Sequence, residues 1–542
     1  MLHSPAPRSP QQMTEDFPSV LDRPVAWWTS LLVMLAALTV PILAVAVPPL
    51  TDYPNHLARC YILAFRKSDP VLSQMFSVHW RIIPNIGVDL VLPALMHAFP
   101  PLIAGRVMLA LCLLLPVSGA VALSYAYFRQ RSFWQIAAGF AAYNALFFLG
   151  FMNFELAIGI ALWGGAAWVR YREQHLSATV ALGALIATIA FFFHLVGFCL
   201  FALLIGTYEL EVIFRAGLRT PVAVKIAATR VVLLAATIAV PAMLYVLSPF
   251  GKVAGAIEWA RFKDKVYNLL VPFQDYSFWL DALLIAPVIA FLLLCILTRR
   301  ARLSPAGLLS SLILLFGYAV MPRGMKGGYF ADLRMPIMLG FMIFAAFSPV
   351  RLTSRQKLAA AFLFAALFLA RIAFITTVWL QAQRDVSDVR QVIASVPSGS
   401  AVLAADVTWH DNPEWFSSMP RSRWLPHLTV TYTHLAAFVL LDRRAFWSNI
   451  FAAQAQQPLQ IKEPYRELRV VESPPPPYHL LAAKDFSPIE LKRFPFLPDW
   501  SGKFDYLLVL NAEGAPDLEN FLPDRLQFVE RRGIAALLKV RK

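Results

Sequence analysis

Long apolar runs separated by short polar stretches set the pattern of this chain. The first run, 25–47, meets the requirement of about 20 apolar residues for a bilayer span. It follows a polar, proline-containing segment, 1–24, that reads as disordered. Further runs lie at 103–127, 133–150, 154–170, 177–193, 195–213, 230–248, 281–298, 305–322, 333–349 and 358–380. With the first they predict about eleven membrane helices, several close to the short limit. Ala44-Val45-Ala46 resembles a signal-peptide cleavage site, but the leader is long and carries Glu15, Asp16 and Asp22, so the first helix is expected to be retained.

The polar connections alternate in charge. Arg129 and Arg131 fall in one loop, Arg170 and Arg172 in another, then Arg215, Arg219, Lys225 and Arg230. Arg299, Arg300 and Arg302 follow, then Arg351, Arg355 and Lys357. Every second loop is basic, and short cytoplasmic loops hold the Lys/Arg excess. The N-terminus is therefore expected inside, with 49–102, 249–280, 323–332 and 381–542 outside. In the first outer loop the apolar stretch 84–96 is too short for a comfortable span and carries Asp89. Counting it as a span would put Arg129 and Arg131 outside, so it reads as an interfacial or re-entrant helix.

After 380 the pattern changes. Residues 381–395 read as a helix leading out of the membrane. Segments 400–406, 466–471, 504–510 and 534–540 read as strands. The proline run 474–477 is a spacer or loop. The expected architecture is thus a disordered cytoplasmic N-terminus (1–24), an α-helical polytopic membrane domain (25–380) and an extracytoplasmic soluble α/β domain (381–542).

Composition agrees. The chain has 542 residues, 58% of them hydrophobic, a mean hydropathy of +0.59 and 15% charged residues, where soluble domains carry about 25%. The net charge of +15 is uneven: Lys+Arg outnumber Asp+Glu by 29 to 15 before residue 381 and by only 19 to 18 after it. The excess belongs to the membrane half and sets topology, so no nucleic-acid partner is implied. Cys60, Cys112, Cys199 and Cys295 form neither a disulfide framework nor a zinc spacing. No phosphate-binding glycine loop, dinucleotide fingerprint or zinc-protease motif is present.

Candidate chemistry gathers at the outer helix ends. In the stretch 48–59, Asp52, His56 and Arg59 share one face of a helix starting near Asp52. Asp52, two residues before Pro54, also suits a helix N-cap. A general base must reach the attacking hydroxyl, and a phosphate needs a cation. Glu155 and His194 sit at outer ends of spans, as interfacial anchors or cavity-facing groups. Arg371 lies within the last span, where it snorkels or pairs. The outer loop 322–336 is basic against the topology rule, and Lys326 and Arg334 there suit an anion site or lipid headgroups. Glu258, Arg261, Lys263, Asp264 and Lys265 form a mixed-charge loop or lid. His410, Asp411 and Glu414 approach metal-ligand spacing but have no partner motif, so a surface loop is expected.

This arrangement resembles the GT-C superfamily of bacterial membrane glycosyltransferases. The resemblance rests on the first helix followed by an acidic loop at Asp52, the amphipathic segment 84–99, and a span ending in Arg129 and Arg131. It rests further on His194 between two mid-chain spans, the late 332–336 motif, and an outer domain after the last span. It covers most of 20–380. It implies a polyprenyl-(di)phosphate-linked sugar donor, membrane lipids as surroundings, and a glycan, lipid or protein acceptor at the outer face of the inner membrane. Asp52 would be the catalytic base, aided by His56, or the ligand of a divalent cation (Mg or Mn). Arg334 would hold the donor phosphate, with Arg59, Asp89, Glu155, His194 and Lys326 as further substrate-binding residues. Many relatives carry paired acids where this chain has Asp52-Tyr53. Two other readings are a transporter or flippase of an anionic or lipid-linked substrate, and a non-catalytic assembly protein. A transporter predicts interrupted helices in matching halves with polar sites at mid-membrane, whereas here polar residues concentrate at helix ends.

Overall fold

The computed structural model describes residues 19–542 except 254, 327, 427, 454–455 and 471–472. The chain begins with α1 (Pro24–Ala44), then α2 (Tyr53–Phe65), α3 (Gly87–Ala98), α4 (Pro101–Phe128) and α5 (Met152–Tyr171). Next come α6 (Leu176–Phe193), α7 (Leu195–Ala216), α8 (Pro221–Leu247), α9 (Phe278–Leu297), α10 (Pro305–Val320), α11 (Arg334–Ala346) and α12 (Ser354–Val392). Among the described residues α1, α4–α9 and α12 are the eight helices long and apolar enough to cross a membrane, and this is a polytopic membrane protein. Shorter apolar helices at 87–98, 305–320 and 334–346 and a helical stretch at 133–149 complete the bundle.

Sequence explains the boundaries. Pro24, Pro101, Pro221 and Pro305 each stand in the first turn of a helix, where the missing N–H costs nothing. α4 and α5 approach closely through glycines: a Cβ at Gly159 would lie 2.7 Å from Leu115 Cγ. Small residues allow such approach where no hydrophobic drive acts between helices in lipid. Residues 19–22 are not disordered as expected; Ser19 and Asp22 form a capping box around a single turn, and Asp22 accepts a 2.9 Å bond from Lys357. Residues 1–18 lie outside the described residues.

Among the described residues there are eleven strands, all short. They are β1 (Phe76–Val78), β2 (Ala301–Leu303), β3 (Phe347–Pro349), β4 (Ala401–Asp406), β5 (Trp424–Leu425), β6 (Thr429–Val430), β7 (Phe446–Trp447), β8 (Leu459–Ile461), β9 (Tyr506–Leu510), β10 (Leu526–Arg532) and β11 (Ala535–Val540). The C-terminal domain is built on a five-stranded sheet of order β10-β11-β9-β4-β7. β9, β4 and β7 run parallel, while β11 and β10 close that side antiparallel. The strand expected at 466–471 is absent: Tyr465–Leu468 forms a 3-10 turn, and 471 lies outside the described residues.

Contacts between loops sort them into two sets. Residues 49–102 meet the C-terminal domain through the β1–β8 pair and through Thr51 Oγ1, which donates to Val430 O at 3.2 Å. Gln274 donates to Pro426 O at 2.8 Å, and Glu258 pairs with Gly324. The four segments expected outside therefore lie together. The basic loops form the other set. Arg172 and Arg230 meet Glu209, Glu211 accepts from Ala306 N, β2 pairs with β3, and Gln130 bonds Ser348. At 39 residues and about 1.5 Å each, α12 crosses the bilayer and continues about 25 Å beyond it. There Asp385 on α12 and Glu513 both grip Arg423, whose side chain is only 4% exposed.

The apolar stretch 133–149 is not one helix. It breaks into short turns at Phe133–Ile136, Ala137–Ala141 and Ala145–Leu149. The break leaves carbonyls that lipid cannot satisfy. Arg371 in mid-α12 takes them, donating to Phe140 O and Tyr143 O at 2.6 Å each. Its own charge is met by Asp275 at 3.3 Å. Arg371 thus neither snorkels nor simply pairs; it caps a broken helix. Arg371→Gln is expected to cost about 3–5 kcal/mol by stranding Asp275 and two carbonyls, read as a lower melting temperature of the detergent-solubilised protein. Arg371→Lys should restore little, because one ammonium cannot reproduce the planar fork.

Candidate active site between the first outer helix and the C-terminal domain

Asp52 precedes α2, yet its carboxylate makes no capping bond. The backbone explains its direction. Thr51 N and Asp52 N donate to Phe148 O and Leu149 O, which pins the loop to the turn before α5. Gly150, at φ +86°, lies so close that a Cβ there would sit 3.2 Å from Asp52 Cβ. The Asp52 side chain then points to the C-terminal domain, where His434 Nε2 lies 3.3 Å from Oδ1. Asp52 keeps 21% of its side chain exposed, so the carboxylate remains reachable.

His434 and Asn55 are the residues the sequence did not reveal. Asn55 is fully buried and lies on the Asp52 side of α2. Its Nδ2 donates to Asn449 O at 2.8 Å and faces His434 Nδ1 at 3.2 Å; its Oδ1 accepts from Phe451 N at 2.9 Å. His434 packs edge-on against Trp447 and Phe451. No motif marks it, because its link to Asp52 spans nearly the whole chain.

The expected face of Asp52, His56 and Arg59 exists, but its members differ in role. Arg59 is buried and donates to Asp89 Oδ1 at 2.7 Å. Asp89 sits in the first turn of α3, so this pair clamps α2 to α3 and neither charge is free for a ligand. Arg59 also donates to His56 Nδ1 at 3.1 Å, which makes the ring an acceptor there. Burial, then Arg59, then His434 hold the His56 imidazole well below its ordinary value. His56 is thereby kept neutral.

Arg334 opens α11. Its guanidinium lies over the rings of Phe151 and Phe154, at 5.5 and 5.9 Å. It is in no ion pair, and its buried Nε lacks a hydrogen-bond partner, among the described residues. Asp332, two residues before, is buried with both oxygens unpartnered, and burial pushes its carboxyl up. His194 caps α7 by accepting from Val196 N and stands edge-on to Phe154, near enough for the Arg334 charge to act on it. Asp52 and Arg334 therefore both border the stretch 150–154. Glu155 comes next in the chain, fully buried and without a hydrogen bond among the described residues.

Lys326 is committed elsewhere: its Nζ donates to Gly251 O at 2.7 Å and ties two loops together. The mixed-charge loop joins this layer through Lys265, which caps α10 by donating to the carbonyls of Tyr318, Ala319 and Met321. Asp411 pairs with His479 at 2.5 Å and with Thr408, a loop-closing contact. Among the described residues no three His, Cys, Asp or Glu side chains converge on a metal site. Asp52 has His434 as its neighbour rather than a second acid, a poor fit to a resident divalent cation.

The architecture is the GT-C-like one expected from the sequence, a polytopic helical bundle with Asp52 just before α2 and a C-terminal α/β domain seated on it. The chain superposes on two crystal structures of ArnT from Cupriavidus metallidurans. For the one bound to undecaprenyl phosphate the TM-score is 0.52, and for the apo state 0.53. Each match has 12% identity and covers 95% of this chain and 98% of ArnT. No protein-family model matches the sequence, and no curated protein does.

The state of His56 predicts a pH effect. The unfolded chain takes up a proton near the ordinary value of 6.5, while the folded ring resists it. Stability contributed by the neutral ring is complete above 6.5 and is lost as pH falls below it. Wild type should lose more melting temperature between pH 7 and pH 5 than His56→Gln, measured by thermal unfolding in buffered detergent.

Proposed function

We propose that this protein is a glycosyltransferase of the bacterial inner membrane. It moves a sugar from a polyprenyl-phosphate-linked donor to an acceptor hydroxyl at the outer face. The observation that carries the reading is that a reachable Asp52 and an Arg334 whose buried Nε lacks a hydrogen-bond partner among the described residues both border the stretch 150–154. The likeness to ArnT bound to undecaprenyl phosphate supports a polyprenyl phosphate as the lipid carrier.

The chemistry follows from position. The lipid tail stays in the bilayer while the phosphate reaches the helix ends. Asp52 accepts the proton of the acceptor hydroxyl. The hydroxyl oxygen forms its bond to the anomeric carbon as the bond to the donor phosphate breaks, and the electron pair leaves with the phosphate. Arg334 neutralises that leaving charge in a site walled by Phe151 and Phe154, where a guanidinium acts more strongly than in water. His56, neutral and bonded to Arg59, supports the α2 face rather than taking the proton. Transport finds less support: the broken stretch at 133–149 is the kind of feature a transporter uses, but Arg371 already occupies its carbonyls.

The test incubates the purified protein with a panel of polyprenyl-phosphate sugars and measures released lipid phosphate. Wild type should consume at least one donor, and Asp52→Asn should lower the rate by roughly 100-fold or more, as removal of a general base does. Arg334→Gln should also lower the rate sharply. An Asp52→Asn protein as fast as wild type would refute the reading.

A further inference from the structure

The C-terminal domain does more than sit over the membrane helices. We propose that it completes the active site, with His434 as the positioning residue that holds Asp52 in register for the acceptor hydroxyl; this rests on the glycosyltransferase reading above.

The hydrogen bonds of Asn55 fix the orientation of its amide. Oδ1 faces the N–H of Phe451 and Nδ2 faces the carbonyl of Asn449. Turning the amide over would set N–H against N–H and oxygen against carbonyl. Nδ2 therefore donates toward His434 Nδ1, at 3.2 Å, and that ring nitrogen must offer a lone pair. The proton of the neutral ring is then on Nε2, which faces Asp52 Oδ1 at 3.3 Å. Two buried groups on two parts of the fold thus select one tautomer and aim its only donor at the carboxylate. Fixing the tautomer and aim of a ring through its far nitrogen is a general device for orienting catalytic groups. The 3.3 Å separation is long for a bond to a carboxylate, as such contacts commonly are before substrate binds.

The consequence is mechanical. Asp52 forms no helix cap, so nothing in its own helix restrains its side-chain rotation. His434 takes Oδ1 and leaves Oδ2 for the acceptor. The ring is itself fixed by packing against Trp447 and Phe451. Because His434 comes from the C-terminal domain, the carboxylate is correctly aimed only when that domain is seated. The seat is made by the β1–β8 pair and by Arg423 between Asp385 and Glu513.

The test compares His434→Phe with His434→Gln in the full-length detergent-solubilised protein, using the donor consumed by wild type and Asp52→Asn as the control. Phe keeps the bulk without a donor, while the Gln amide N–H can stand where Nε2–H stood. His434→Phe should lower kcat roughly 10- to 100-fold with the donor KM within about threefold of wild type, the signature of a group acting on the chemical step. His434→Gln should recover most of that loss. Melting temperatures of both variants report whether the domain remains seated. The inference is overturned if Asp52→Asn is inactive while His434→Phe keeps wild-type kcat. It is also overturned if His434→Gln folds and is as slow as His434→Phe. An active Asp52→Asn protein would instead refute the transferase reading.

Discussion

The structure depends on one polar joint: the side chain of Asn55, buried where the first outer helix meets the C-terminal domain. An amide without partners costs a few kcal/mol in such a place. Here it binds Asn449, Phe451 and His434 together, so separating the two parts would strand a buried amide as well as break the β1–β8 pair. The loop carrying Asp52 is pinned from the other direction by Phe148 and Leu149. The carboxylate therefore lies where three parts of the chain converge: the first loop, the start of α5 and the C-terminal domain. A site assembled in this way needs no local motif, and that explains its weak signature in the sequence.

Charges inside the bundle obey the same rule. Each buried ion is either matched or set at a helix end. Arg59 is answered by Asp89, Arg371 by Asp275 and two carbonyls, and Arg172 and Arg230 by Glu209. Arg334, Asp332 and Glu155 differ from these in having no ion pair among the described residues, and each keeps buried polar atoms without hydrogen-bond partners there. Arg334 and Glu155 lie at the stretch 150–154, which Asp52 also borders. Under the proposed function, Arg334, its guanidinium over Phe151 and Phe154, stands where an anionic headgroup would arrive.

Much of the architecture was legible in the sequence because membranes impose a coarse rule. Apolar length marked the spans, and the alternation of Arg-rich loops grouped 49–102, 249–280, 323–332 and the C-terminal domain together, as the loop contacts bear out. Length alone misled at 133–150: the run is apolar throughout, and the break shows only through its partner Arg371, more than two hundred residues later. The strand expected at 466–471 was read from the β-prone Val470 and Val471, but the chain turns at Tyr465–Leu468 instead. At the site, spacing placed Asp52, His56 and Arg59 on one face correctly. It could not show that Arg59 is answered by Asp89, that Lys326 reaches Gly251, or that His434 would stand beside Asp52, since each depends on tertiary packing.

The central claim is that Asp52 and Arg334 serve a single bound donor. The most direct measurement is a cryo-electron microscopy map of the protein in lipid nanodiscs saturated with undecaprenyl phosphate. The account predicts density for the phosphate within about 4 Å of the Arg334 guanidinium, the reach of a charge-assisted contact, beside the turn 150–154 and on the Asp52 side of it. A headgroup resolved in a different cavity, with Arg334 still bare, would contradict it.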